Sequence, residues 1–298
     1  MGDRVVVSGA SGLIGAALVE SLRADGVRAV TLVRREARGD DEVRWLSDDE
    51  PLNPDSLAGA TAVVNLGGAS IGRLPWTRGY KRTLASSRLG PTGVLATAIR
   101  ELGADAPAFV SASASGVYGD RPAETLTESS GQGTGFLTDL CAAWEREALA
   151  AGPHARVALL RTASVLHPRG MLRPLMLLAR FGVAGPLGGG RQVWPWVSLV
   201  DEVRAIRHVI DAGLEGPVNL SGPTPATANE VGRAIARAMR RPFWLPVPAW
   251  ALRLGLTRDA ADSLLLADAT VSPAALLESG FEFRHATAAS AIEAELGV

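Results

Sequence analysis

The segment Val5-Val6-Val7-Ser8-Gly9-Ala10-Ser11-Gly12-Leu13-Ile14-Gly15 constrains the fold more than any other stretch of the chain. Its apolar, β-branched start reads as a strand ending at Ser8, and Leu13, Ile14, Ala17, Leu18 and Leu22 follow as the start of a helix. Three glycines at G-x-x-G-x-x-G spacing occupy the junction. Glycine there lets the backbone turn tightly and approach a pyrophosphate closely, while the unpaired N–H groups and positive dipole end of the helix face the anion. The context predicts a dinucleotide cradle formed by Gly9, Ser11, Gly12, Leu13, Ile14 and Gly15. A plain glycine-rich βα turn is the alternative.

Val27 to Val33 reads as a second buried strand, closed by Arg34 and Arg35. In dinucleotide-binding βαβ units, an acidic residue about twenty positions beyond the glycines accepts hydrogen bonds from the adenosine ribose of NAD. Two cations in that place suit a ribose 2′-phosphate, so the expected cofactor is NADP(H). Two solvated arginines at a strand end would look the same in sequence.

Apolar runs alternate with helical patterns through the first half. Strands are expected at Arg4–Ser8, Ala29–Val33, Ala62–Leu66, Ala108–Ser113 and Arg156–Arg161, with a short one near Val43–Trp45. Helices are expected at Leu13–Ala24, at Arg78–Leu102 with Pro91 bending or interrupting it, and at Phe136–Ala151. This alternation implies an α/β, doubly wound parallel-sheet Rossmann fold. The second half is less regular: a glycine-rich loop at Gly182–Gly190, a helix at Val200–Ala212, a short strand at Val218–Leu220, and a capping box at Thr227–Glu230 opening a helix to Met239. The expected division is a cofactor-binding domain at 1–170, completed by 197–222, and a smaller, discontinuous C-terminal lid domain at 171–196 and 223–298.

Net charge is −1 and the pI is near 6.5, which gives no general affinity for nucleic acid or an anionic membrane. A single cysteine, Cys141, excludes an internal disulfide and fits a reducing compartment. With no signal-like start and no apolar stretch of spanning length, the expected location is cytoplasmic. The four histidines show no ligand spacing, so no metal is expected.

Five segments together resemble the extended short-chain dehydrogenase/reductases over the whole length. More narrowly, they resemble the atypical branch labelled "epimerase family protein", which ends in a domain of unknown function. They are the Ser8–Gly15 loop, the Val63-Val64-Asn65-Leu66-Gly67-Gly68 turn, and the serine strand Ser111-Ala112-Ser113-Ala114-Ser115-Gly116-Val117-Tyr118-Gly119. The other two are Pro186-Leu187-Gly188-Gly189-Gly190-Arg191-Gln192 with Trp196, and Ala275-Leu276-Leu277-Glu278-Ser279-Gly280-Phe281-Glu282-Phe283. The resemblance implies cofactor contacts from Leu66, Gly67, Arg88 and Val165, although Leu66 and Val165 fit a core and Arg88 a solvated helix face equally well. It also implies an NADP(H)-dependent oxidoreductase or epimerase with a small carbonyl/carbinol or sugar-nucleotide-like substrate. Ser115, Tyr118, Arg191, Gln192 and Trp196 are the expected pocket residues.

One departure from the family pattern is sharp. Typical members carry Tyr-x-x-x-Lys on the helix after the serine strand. Here Tyr80 and Tyr118 are the two tyrosines, Lys81 is the sole lysine, and no such motif exists. Cys141 and Glu145 fill the same i, i+4 spacing, and a carboxylate raises a thiol pKa where an ammonium would lower it. Ser113, Cys141 and Glu145 are therefore the catalytic candidates, with Cys141 equally readable as a small core residue. The alternative function is a catalytically quiet NADP(H)-binding redox sensor or partner-binding protein, since fold alone decides nothing.

Overall fold

A computed structural model describes residues 3–46 and 51–298. The chain runs β1 (Arg4–Ser8), α1 (Leu13–Ala24), β2 (Arg28–Val33), β3 (Glu42–Arg44), β4 (Ala62–Asn65), α2 (Arg78–Glu101), β5 (Ala108–Ala114), β6 (Arg121–Leu126) and α3 (Phe136–Leu149). It continues through β7 (Val157–Thr162), β8 (Ser164–Leu166), α4 (Leu172–Arg180), β9 (Trp196–Ser198), α5 (Leu199–Asp211), β10 (Gly216–Leu220) and α6 (Ala228–Ala238). It closes with α7 (Ala249–Leu256), α8 (Arg258–Ala261), β11 (Ala269–Val271), α9 (Ala274–Glu278) and α10 (Ala288–Leu296).

Seven strands form one parallel sheet in the order β10-β7-β5-β4-β1-β2-β3. The order grows one way from β1 to β3 and the other way from β4 to β10, which is double winding. Its reversal between β1 and β4 is the switch point where open α/β sheets hold ligands. Side-chain alternation sorts the strands onto two cores. Val5, Val7, Val64, Val110 and Leu160 face α1 and α5, whereas Val6, Val63, Phe109 and Leu159 face α2 and α3. Being buried on both faces is why these strands read as continuous apolar runs.

α2 runs unbroken through Pro91, so the expected interruption does not occur. The capping box at Thr227 forms as read, with Glu230 answering the Thr227 N–H. A third core lies beyond the sheet, where Leu172 of α4, Trp194 and Trp196 pack with Val231 and Ile235 of α6 and Ile292 of α10. Residues 269–283, expected to belong to the lid, lie against other parts of the fold: β11 pairs with β6 in a separate two-stranded sheet, and Leu276 and Phe281 bury their apolar side chains in the α1/α5 core.

Candidate functional site

At the carboxyl ends of β1 and β4 the backbone leaves no room for side chains. Gly9 has φ +74°, and a Cβ there would lie 2.7 Å from the Leu66 carbonyl carbon and 2.8 Å from the Gly67 nitrogen. A Cβ on Gly15 would lie 2.9 Å from the Ala10 Cα. Gly12 is the N-cap of α1 and supplies no side-chain acceptor, so the first-turn N–H groups remain available to an anion. This bare cradle fits a dinucleotide pyrophosphate. Beneath it, Ser8 Oγ donates to Asn65 Oδ1 at 2.6 Å, and Asn65 Nδ2 and Trp144 Nε1 each donate to Thr92 Oγ1 at 2.8 Å. β1, β4, α2 and α3 are thereby locked together at the edge of the crevice.

The cations around the cradle differ in their freedom. Arg35 is gripped by Glu42 through bonds of 2.7 and 2.5 Å, and that contact holds the Glu42 carboxyl at about 2. Arg34 is exposed and makes no ion pair among the described residues. Of the two arginines read as equivalent in sequence, only Arg35 is engaged by a carboxylate among the described residues. Arg88 reaches from α2 to the loop after β4: a Cβ on Gly68 would lie 3.1 Å from its Cζ. Its guanidinium lies 5.1 Å from the Trp144 ring centre and, among the described residues, donates only to the Leu84 carbonyl, at 3.1 Å. Burial pulls its pKa down, and no carboxylate pairs with it among the described residues. Val165 lies on β8, whose following turn packs onto α1: a Cβ on Gly170 would lie 3.3 Å from the Val165 carbonyl oxygen and 3.4 Å from Leu13.

The structure brings Ser113 and Glu145 into direct contact and leaves Cys141 apart. Ser113 Oγ donates to Glu145 Oε1 at 2.7 Å. Arg161, on β7, clamps the same carboxylate, Nε to Oε1 at 2.9 Å and Nη2 to Oε2 at 3.0 Å. Burial works against the Arg161 cation, but hydrogen bonds to Glu145 and Tyr118 outweigh it and its pKa rises. Arg161 Nη1 also donates to the Tyr118 hydroxyl at 3.0 Å, and that hydroxyl donates to Asn219 Oδ1 at 2.7 Å. Asn219 in turn donates its N–H to Glu128 at 3.0 Å and its Nδ2 to the Ser272 carbonyl at 2.8 Å. Cys141 packs among Val117, Tyr118, Leu126 and Val271. Burial, with the Glu145 carboxylate, pushes its thiol up to about 12, so it is no base at neutral pH.

Three expected pocket residues prove to be internal. Tyr118 is fully buried with its hydroxyl saturated, and burial raises its pKa. Gln192 is buried and donates to the carbonyls of Leu187 at 3.0 Å and Leu265 at 2.7 Å. Trp196 is 1% exposed, and its Nε1 donates to the Thr224 carbonyl at 2.8 Å. The Tyr118 hydroxyl, the Gln192 Nε2 and the Trp196 Nε1 are all held by the fold, and all three side chains are buried. Arg191 is exposed, and Ser115, just beyond β5, is half-buried, its hydroxyl making no hydrogen bond among the described residues. Arg161, Glu128 and Asn219 were not anticipated as site residues. Among the described residues no three His, Cys, Asp or Glu side chains are grouped to hold a metal.

A parallel, doubly wound sheet with a side-chain-free cradle at its switch point defines a dinucleotide-binding α/β protein. The model of the NAD dependent epimerase/dehydratase family matches residues 5–221, and the chain belongs to that family. A domain of unknown function, DUF1731, matches residues 247–295. "Epimerase family protein Mb2239" of Mycobacterium bovis is 40% identical over 293 residues, spanning 97% of this chain and 96% of that protein. The crystal structure of human epimerase family protein SDR39U1 (isoform 2) with NADPH is similar at a TM-score of 0.88 and 26% identity, covering 99% of both chains. A nucleoside-diphosphate sugar epimerase from Corynebacterium glutamicum is similar at a TM-score of 0.79 and 31% identity, covering 100% of this chain and 59% of that one.

Proposed function

We propose that the protein is an NADP(H)-dependent oxidoreductase or epimerase acting on a small carbonyl/carbinol or sugar-nucleotide-like substrate. The observation that carries this reading is the pairing of the glycine cradle with an exposed Arg34 just beyond the end of β2. The NADPH bound to the human relative supports it. The pyrophosphate would lie on Gly9–Gly15 against Leu66 and Gly67, the 2′-phosphate beside Arg34, and the nicotinamide end between Val165, Ser113 and Arg88. When bound, the cofactor supplies hydride transfer at its nicotinamide. Arg88 is the cation placed to hold cofactor oxygen atoms from α2. Ser113, whose proton is committed to Glu145, presents its lone pairs rather than a free donor. The third core, with Arg191 at its surface, serves as the lid.

The second reading, a quiet NADP(H)-binding protein, is favoured by the sealed Ser113–Glu145–Arg161 cluster and the inert Cys141. NADPH consumption, or reduction of bound NADP, across a panel of ketones, alcohols and sugar nucleotides separates the two. For the cofactor itself, Arg34→Ala should weaken NADPH about 10- to 150-fold and leave NADH nearly unchanged. Arg35→Ala should weaken it less, and Glu42→Gln should tighten it by releasing Arg35. Equal NADPH and NADH dissociation constants in the native protein would sink the assignment.

A further inference from the structure

The net charge of −1 conceals a strong asymmetry. Residues 171–191 and 231–258 hold nine arginines and not one aspartate or glutamate. The fold gathers six of the nine on α4, on α6 and just past the end of α6. α4 packs against α6, and the outward positions of α4 are Arg173, Leu177, Arg180 and, at its C-cap, Phe181. Those of α6 are Arg233 and Arg237, with Arg240 and Arg241 following its end. Positions 173, 177, 180 and 181, like 233, 237 and 240, repeat at i, i+4 and i+7, so each set shares one helix face. None of these arginines forms an ion pair among the described residues, whereas Arg253 and Arg258 both answer Asp262.

Between the charges stand exposed apolar side chains. Phe181 is 71% exposed and Trp244 63% exposed, and Leu177, one turn before Phe181 on α4, is more than half exposed. The chain binds these two aromatics to one spot: Trp244 Nε1 donates to the Gly182 carbonyl at 2.9 Å and its N–H donates to the Ala184 carbonyl at 2.8 Å. Phe243, beside it, packs on Gly232 of α6 under the Arg233 guanidinium, 5.7 Å away. The surface is therefore continuous from α4 through the 243–244 loop to α6. With its indole donor already satisfied inside the protein, the Trp244 ring can enter an apolar phase without stranding a polar group.

Exposed Trp, Phe and Leu set among unpaired arginines on amphipathic helices match the chemistry of an anionic bilayer interface. Phosphate headgroups would take the guanidinium groups while the rings sink to the acyl boundary. Aliphatic Leu177 standing beside the aromatics favours lipid over nucleic acid, whose bases would call for a stacking groove. We propose that the α4–α6 face docks the protein peripherally on anionic phospholipid membranes.

Co-sedimentation of the full-length protein with vesicles of phosphatidylcholine alone, and with phosphatidylglycerol added, tests this. Binding is expected only with phosphatidylglycerol and should fall as salt rises. Arg240→Gln/Arg241→Gln should weaken it about 30-fold, at roughly one ion-pair increment per charge. Phe181→Ser should weaken it about 10-fold, and Arg146→Gln, on exposed α3 surface, should change nothing. Retained NADPH binding in each variant shows that it folds. No pelleting with phosphatidylglycerol, or pelleting that these substitutions leave unaltered, overturns the proposal. So does loss of single-stranded oligonucleotide binding in the same variants when vesicles bind nothing, which would assign the face to nucleic acid.

Discussion

Replacing Arg161 with methionine probes the polar cluster behind the crevice most directly. Methionine keeps most of the buried stem and removes four donated hydrogen bonds, two to Glu145, one to Tyr118 and one to the Glu128 carbonyl. Arg161 is 8% exposed and Glu145 9%, so the carboxylate left behind is a buried charge supported only by Ser113. Removing one partner of such a pair costs about 3–5 kcal/mol, chiefly because the other charge is stranded. At this chain length that is a fall in Tm on the order of 5–8 °C. Arg161→Met/Glu145→Gln removes both charges and should recover a substantial part of the loss. Thermal melts and urea titrations of the native protein, both single variants and the double variant measure the coupling. A loss under about 1 kcal/mol for Arg161→Met, or strict additivity in the double variant, would refute the view that this cluster is a single interlocked unit.

Three further outcomes follow from single residues. Gly15→Ala places a methyl against the Gly9–Ala10 backbone and should cost about 1–3 kcal/mol in urea unfolding while abolishing NADPH binding in a fluorescence titration. Cys141, its thiol pushed up to about 12, should resist iodoacetamide at pH 8 until the protein is unfolded; Cys141→Ala should cost about 1 kcal/mol and leave NADPH affinity intact, and rapid native alkylation would contradict this burial. Glu202 is fully buried with Oε2 unpartnered, and burial, partly offset by a bond from Thr162, pushes it up to about 8. A raised carboxyl favours the folded state while neutral, so the Glu202 contribution to stability should be full below pH 4.5 and decline toward pH 8, no more steeply than about 1.4 kcal/mol per unit. Glu202→Gln should flatten that decline in urea titrations across the range.

Much of the sheet was legible because its strands are buried on both faces. Val5–Val7, Val63-Val64 and Leu159-Leu160 could hardly be anything else once α1 and the glycines were placed. β6 was not, because Arg121-Pro122-Ala123-Glu124 carries no apolar alternation and pairs only with three-residue β11, far along the chain. The pocket residues failed for a different reason. A sequence does not distinguish a glutamine or tryptophan that faces a ligand from one whose polar atom is taken by a backbone carbonyl, as at Gln192 and Trp196. Arg161 carries a usable signal: a lone arginine inside Val-Ala-Leu-Leu-Arg-Thr needs a buried acid, and Glu145, four residues beyond Cys141, is a helix carboxylate that can supply it.

The third core has a temporal consequence. Its members span Leu166 to Ile292, and α10 packs directly against α6. On a ribosome, α4 and α6 emerge long before the helix that covers them, so their inner apolar faces have no mate during that interval. The sheet meanwhile has β10, its last strand, in hand by Leu220. A chain arrested after α8 should therefore hold a nearly finished sheet beside an open, chaperone-dependent third core, and that core is the part from which misassembly would begin.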